Sequence, residues 1–189
     1  MIVSLLAAML LVPVVDYPMA DAAMQGDMIQ MRRLLADNVD VDQAQGDGST
    51  ALHWAAYRDD AEMTRVLLEA GAGVGATTRN GGFTPLLMAA RNGSAAIIEL
   101  LLNSGADLAT PNNAGTTALM LAAAAGKPDA VTVLLEHGAD LNAKDTINGQ
   151  NAVMFAAAVN AGAVIEVLAA HDADLDIVST VLLPRNEND

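Results

Sequence analysis

Residues 48–72 read GSTALHWAAYRDDAEMTRVLLEAGA, and the same pattern returns three times downstream. From Gly82 the chain reads GFTPLLMAARNGSAAIIELLLNSGA, from Gly115 GTTALMLAAAAGKPDAVTVLLEHGA, and from Gly149 GQNAVMFAAAVNAGAVIEVLAAHDA. The first helix-core position falls at Leu52, Leu86, Leu119 and Val153, at steps of 34, 33 and 34. The second small residue of an alanine pair, Ala56, Ala90, Ala123 and Ala157, keeps the same steps. Self-similarity at this period means stacked copies of one supersecondary unit, each unable to hide its apolar face alone.

The unit has a physical reading. Thr50 is placed to cap a helix, because its hydroxyl can accept an orphan backbone N–H of the first turn. Pro85 occupies the first helical position of the second unit, where no N–H is needed. A short helix is predicted over 51–57. Its paired alanines are small so that the neighbouring unit can pack closely. A turn follows at Asp59, Gly93, Gly126 or Asn160. A second helix carries Val66, Leu67 and Leu68 on its buried side. Gly71, Gly105 and Gly138 end that helix in a left-handed conformation that costs glycine little.

This pattern resembles the ankyrin repeat. Thr50-Ala51-Leu52-His53-Trp54-Ala55-Ala56 and Thr84-Pro85-Leu86-Leu87-Met88-Ala89-Ala90 match its T-P-L-H-x-A-A signature. Leu101-Leu102-Asn103-Ser104-Gly105-Ala106-Asp107 and Leu134-Leu135-Glu136-His137-Gly138-Ala139-Asp140 match its L-L-x-x-G-A-D ending. Only the Thr50 unit keeps the histidine. The last unit has Asn151 for threonine, Ala169 for leucine and Asp172 for glycine. Upstream, Ala22-Ala23, Gly26 and Leu34-Leu35 align 33 residues before Ala55-Ala56, Asp59 and Leu67-Leu68. The resemblance implies an all-α solenoid of stacked helix-turn-helix units with β-hairpin or loop fingers. Its units are a partial one at about 21–47, then 48–81, 82–114, 115–148 and 149–178. The fingers fall at 42–49, 75–83, 109–116 and 143–150, rich in Gly, Asn, Thr and Asp as turns require.

Flanking the repeats, residues 1–20 form an apolar segment and 179–189 a C-terminal tail. The run 2–15 is too short to span a bilayer, which needs about 20 apolar residues. It has the length of a signal-peptide apolar region, and Ala20-Asp21-Ala22 supplies a small-residue end. No Lys or Arg precedes it, and Pro13 and Pro18 interrupt it. Read as a signal peptide, it places the mature chain in the periplasm or outside the cell, with no membrane span. Many bacterial ankyrin proteins resemble this arrangement. The alternative is a cytoplasmic interaction module or a secreted effector, with 1–20 an apolar helix covering the first repeat.

The net charge of -14 argues against nucleic acid, whose phosphates need a concentrated basic surface, and against an anionic membrane. There are no cysteines, so disulfides and thiolate metal sites are excluded. His137 and His171 occupy equivalent positions in successive units, a repeat apart, and read as helix-end residues favoured by the helix dipole. Through the resemblance, His53 hydrogen-bonds within and between repeats. Asp172, Asp174 and Asp176 imitate the opening of a calcium loop, but Ile177 and Leu183 stand where that loop needs Gly and Glu. No catalytic set emerges, so no cofactor or metal is expected and an enzyme is the disfavoured class.

What remains is surface. The resemblance implies that a protein partner meets the finger tips and the exposed side of the first helices. The residues singled out there are Tyr57, Arg58, Arg79, Phe83, Arg91 and Asn92, because aromatics and arginines are the common hot-spot types. Register places Arg58 and Arg91 side by side on adjacent first helices, with Arg79 leading the finger between them. Trp54 and Phe155 read as core positions. The sequence thus predicts a monomeric, non-catalytic protein-binding scaffold whose partner is unnamed.

Overall fold

The computed structural model describes residues 17–175. Ten α-helices, and no strand, lie among these residues: α1 Pro18–Gln25, α2 Met28–Ala36, α3 Ala51–Tyr57, α4 Ala61–Glu69, α5 Pro85–Asn92, α6 Ala95–Asn103, α7 Ala118–Ala124, α8 Pro128–Glu136, α9 Ala152–Ala158 and α10 Gly162–Ala170. They form five antiparallel pairs. The first helices α1, α3, α5, α7 and α9 pack in one row, and α4, α6, α8 and α10 pack in a second. Helices this short are marginal in water by themselves, so packing holds them.

The row of first helices closes on alanine. Ala22, Ala23, Ala55, Ala56, Ala89, Ala90, Ala122, Ala123 and Ala156 are buried. Ala157, the last of the series, is exposed. Larger side chains fill the space between the two rows: Met19, Leu52, Leu86 and Leu119 from the first helices, and Met31, Met63, Leu67, Ile97, Ile98, Leu101, Val131 and Leu134 from the second. Each such side chain contributes roughly 1.5–3 kcal/mol when fully buried. In α4 the burial falls on Met63, Thr64 and Leu67, whereas Val66 and Leu68 are half-buried flanks. The Thr64 hydroxyl is tolerated there because it donates to the Asp60 carbonyl at 2.8 Å.

Two backbone devices repeat. The inter-helix turn is left-handed at Gly26, Asp59, Gly93, Gly126 and Asn160, and the residue closing the second helix is left-handed at Asn38, Gly71, Gly105, Gly138 and Asp172. The fingers take the loop form of the two expected, with no strand among the described residues. Each is a turn closed by a backbone bond, Gln45 to Ser49 (2.8 Å), Thr78 to Phe83 (2.9 Å), Asn112 to Thr116 (3.0 Å) and Asp145 to Gln150 (2.9 Å), with the N–H of the first residue donating; in the first three the carbonyl of that same residue also accepts, from Gly48 (2.8 Å), Gly82 (3.1 Å) and Gly115 (2.9 Å). Successive fingers add one further bond each, Arg79 N–H to Asp47 O (2.7 Å), Asn113 N–H to Gly81 O (2.9 Å) and Thr146 N–H to Ala114 O (2.9 Å). One bond per neighbour orders a stack of loops without making a ladder. The approach is close: a Cβ on Gly115 would lie 2.7 Å from the Thr146 nitrogen.

Two expectations change at the chain ends. The first unit has a complete first helix, opened by Pro18 at its first turn, and Met19 and Ala20 are fully buried in the core. The boundary drawn at residue 20 therefore falls inside α1. Pro18 stands 33 residues before Ala51, in the column that Pro85 occupies, and it opens a helix here. At the other end, Asn151 is a working cap: its side-chain oxygen accepts the Met154 N–H at 3.1 Å. Residues 1–16 and the tail 179–189 lie outside the described residues.

Asp172 holds φ at +63° where three other units have glycine. Left-handed backbone strains a residue with a Cβ, although Asp tolerates it better than most. Asp172→Gly is expected to raise the unfolding free energy by about 0.5–1 kcal/mol. Asn151→Thr should change it by less than about 0.5 kcal/mol, since one capping side chain replaces another. Urea denaturation of both variants checks this; equal or lower stability for Asp172→Gly would contradict it.

Candidate protein-binding groove

The site is built on His53. Its ring lies almost fully buried at the third position of α3, 1% exposed. The Thr50 N–H reaches Nδ1 at 3.2 Å and the Thr50 hydroxyl lies 2.9 Å from the same atom. Nε2 lies 3.0 Å from the Phe83 carbonyl oxygen in the next finger. A carbonyl can only accept, so Nε2 carries the proton and Nδ1 accepts. One neutral imidazole thereby caps α3 and fastens the second finger to it. Burial lowers the His53 pKa from the ordinary 6.5, and the Phe83 carbonyl offsets only part of that.

Above this ring lies a groove of about 230 Å³ between α3 and α5, lined by Asp47, Ser49, Trp54, Tyr57, Met88 and Arg91 among others. Trp54 is half-buried, and its Nε1–H donates to the Gln45 side-chain oxygen at 2.9 Å. The Gln45 amide donates in turn to Asp21 at 2.7 Å. Tyr57 meets Trp54 edge-on, ring centroids 5.8 Å apart, and is 52% exposed. The Arg91 guanidinium carbon sits 5.9 Å from the centroid of the Phe83 ring, within cation–π range.

The six residues singled out in the sequence divide. Tyr57 and Arg91 line the groove. Phe83 supports Arg91 from below, half-buried against the core. Arg79 braces the fingers, its guanidinium donating to the Gly46 carbonyl at 2.5 Å. Asn92 is a structural tie: its amide donates to the Ala56 and Tyr57 carbonyls at 3.0 and 2.6 Å, satisfying the open end of α3. Arg58 does not stand beside Arg91. It turns the other way, donating to the Met24 carbonyl at 3.2 Å, over Gly26. The left-handed Gly26 has no Cβ to keep the guanidinium off. Trp54 and Met88, absent from the selected set, form the groove wall. Their signal was the column Trp54, Met88, Leu121, Phe155, a large apolar residue just before every alanine pair and half-buried in each unit.

Among the described residues every buried side-chain nitrogen and oxygen has a hydrogen-bond partner, and no group of three or more His, Asp or Glu could hold a metal ion. No helix there is long and apolar enough to cross a membrane. His137 and His171 each place Nδ1 2.9 Å from the carbonyl four residues back, closing the second helices of their units.

A shallow apolar groove thus bridges two stacked units of a solenoid that has no strand among the described residues. Residues 19–112 and 108–179 match the family model described as Ankyrin repeats (3 copies), and the chain belongs to this family. It is 40% identical over 74 residues to palmitoyltransferase AKR1 of Lachancea kluyveri, covering 39% of this chain and 10% of that protein. It is 34% identical over 91 residues to palmitoyltransferase Hip14 of Drosophila melanogaster, covering 48% of this chain and 14% of that protein. It is 34% identical over 88 residues to ankyrin repeat and SOCS box protein 3 of Bos taurus, covering 46% and 17%. The chain spans less than a fifth of each relative. The ankyrin repeats are a protein–protein interaction module, and the repeat region is non-catalytic.

His53 carries a pH dependence. Its folded-state pKa is lowered, so below the unfolded value of 6.5 the unfolded chain binds a proton that the folded chain resists. The stability that His53 contributes is therefore present above that value and lost as pH falls through it. The stability difference between wild type and His53→Gln is expected to shrink on going from about pH 7 to about pH 5. Denaturant melts across that range measure it; a difference that stays constant would mean that protonation leaves the Thr50–His53–Phe83 contacts intact.

Proposed function

We propose that this chain is a non-catalytic adaptor that holds or protects a partner protein on the face formed by its first helices and fingers, centred on the Tyr57–Arg91 groove, and that it acts outside the cytoplasm. The observation that carries the first part is an exposed tyrosine, a half-buried tryptophan and an arginine gathered over a fixed histidine bridge. Rigid aromatic area beside a guanidinium is the composition of interface hot spots. The Trp54 ring is pinned through Gln45 to α1, so little conformational entropy is lost when a partner settles on it.

Export is supported by the apolar run 2–15. The buried Met19 and Ala20 constrain where processing would leave the repeats whole. A cut after Ala20 or Ala22 would remove part of the first core, so the proposed cut lies before Pro18. The mature protein is then periplasmic or secreted, and monomeric. The second reading is a cytoplasmic interaction module or secreted effector, favoured by Pro18, Met19 and Ala20 lying within the packed α1.

Two measurements bear on this. With a partner captured from the native cell, Tyr57→Ala is expected to weaken binding by about 1–3 kcal/mol with folding nearly unchanged. Arg65→Ala, on a second helix, should have little effect; the opposite order would move the interface to the second helices. N-terminal sequencing of protein from its native host should begin before Pro18. Intact Met1 on cytoplasmic protein would overturn export and leave the binding reading untouched.

A further inference from the structure

We infer that the groove between α3 and α5 selects a peptide segment of its partner in which a bulky apolar side chain is flanked by a carboxylate. The inference rests on the binding-face reading above and adds the chemistry of the partner. Size comes first. At about 230 Å³ the groove is smaller than the 300–1,000 Å³ usual for cofactor and drug-sized ligand sites, and it takes an anchoring side chain instead. Trp54, Tyr57 and Met88 give that anchor an aromatic and thioether wall.

Charge comes second, and it is distributed unevenly. The chain carries -14 overall. The five first helices nevertheless hold one acidic residue, Asp21, whose carboxylate accepts from Gln45. The second helices hold Glu62, Glu69, Glu99, Asp129, Glu136 and Glu166. Of the finger acids, Asp42 accepts the Gly73 N–H of the next unit at 2.8 Å, and Asp47, exposed at the wall of the groove, is tied to its own loop. Both Asp47 oxygens accept from Ser49, at 2.9 Å each. Asp145 is 8% exposed and accepts three backbone N–H groups, from Ile147, Asn148 and Gly149. Arg91 lines the groove, held by the Phe83 ring, and forms no ion pair among the described residues. Arg79, one finger away, forms none either. An acidic segment approaching this face therefore meets a guanidinium. A basic segment would be drawn to the second-helix side, where the exposed carboxylates stand.

A tryptophan-free random peptide library displayed on phage and selected on the full chain tests this, with Trp54, the single tryptophan, as the native reporter of the groove. The selected peptides are expected to place Asp or Glu beside Phe, Leu or Met and to change the Trp54 emission. Arg91→Glu should weaken them about tenfold or more, and exchanging the peptide's acidic residue for Lys should recover part of that loss. Peptides that change the emission but are basic or uncharged, or that ignore Arg91→Glu, overturn the carboxylate inference and leave the groove as the docking surface. Peptides that bind without changing the emission and tolerate Tyr57→Ala overturn both, as does a selection that enriches nothing.

Discussion

The close approach of successive first helices, made possible by paired alanines, is the constraint on which the rest depends. With only methyl groups between them, α1, α3, α5, α7 and α9 stack at a spacing that also brings the fingers within one backbone hydrogen bond of each other. A larger side chain at Ala56 or Ala90 would separate the helices and break the finger contacts together, because both are set by the same translation. The groove is a consequence of this spacing. The half-buried column of Trp54, Met88, Leu121 and Phe155 stands just beside the alanine seam, close enough to its neighbours to make a wall but not close enough to be covered.

Polar ties strengthen one part of the stack. Between the first two full units, His53 reaches the Phe83 carbonyl, Asn92 reaches the end of α3 and Ser94 donates to Asp59; one junction earlier, Arg79 grips the preceding finger tip, Arg58 reaches the Met24 carbonyl and Arg32 pairs with Glu62. Between later units, the ties among the described residues are chiefly the single finger bonds and the His137–Glu99 contact at 4.0 Å. Each hydrogen bond is worth about 0.5–1.5 kcal/mol net, so the difference matters for local rigidity. The groove thus lies on a junction held by several polar ties, which suits the proposed role of presenting its aromatic residues ready to bind.

Family membership defines the kind of surface and leaves its use open. The relatives share the repeats and then continue into much longer proteins of different names, so the repeated unit travels between contexts. The positions that vary between units are Tyr57, Arg91, Ala124 and Ala158 in one column and Trp54, Met88, Leu121 and Phe155 in the next, and the proposed specificity rests on them. The first two units put an aromatic, a thioether and a cation there. The last two put alanine beside leucine and phenylalanine, an apolar continuation without charge.

Periodicity in the sequence was enough to determine the repeat, its helices, the alanine seam and the turn residues, since contacts in a solenoid are between neighbours and each unit writes the same requirement again. Tyr57 and Arg91 were legible for the same reason, as columns with unusual occupants. The sequence did not show where a long side chain turns at the end of a helix. Arg58 and Arg91 look adjacent in register, yet a left-handed glycine draws Arg58 back over the first unit, and an aromatic ring holds Arg91 at the groove. Asn92 looked like surface and became a cap, because the exposed carbonyls of α3 come within its reach only after the units stack. Pro18 looked like an interruption of an apolar run and became the first turn of α1, because Met19 and Ala20 find a core to enter. Tertiary structure decided these points: Arg58 and Asn92 each depend on a partner more than 30 residues away, and Arg91 on a ring in the preceding finger, none of which a local pattern specifies.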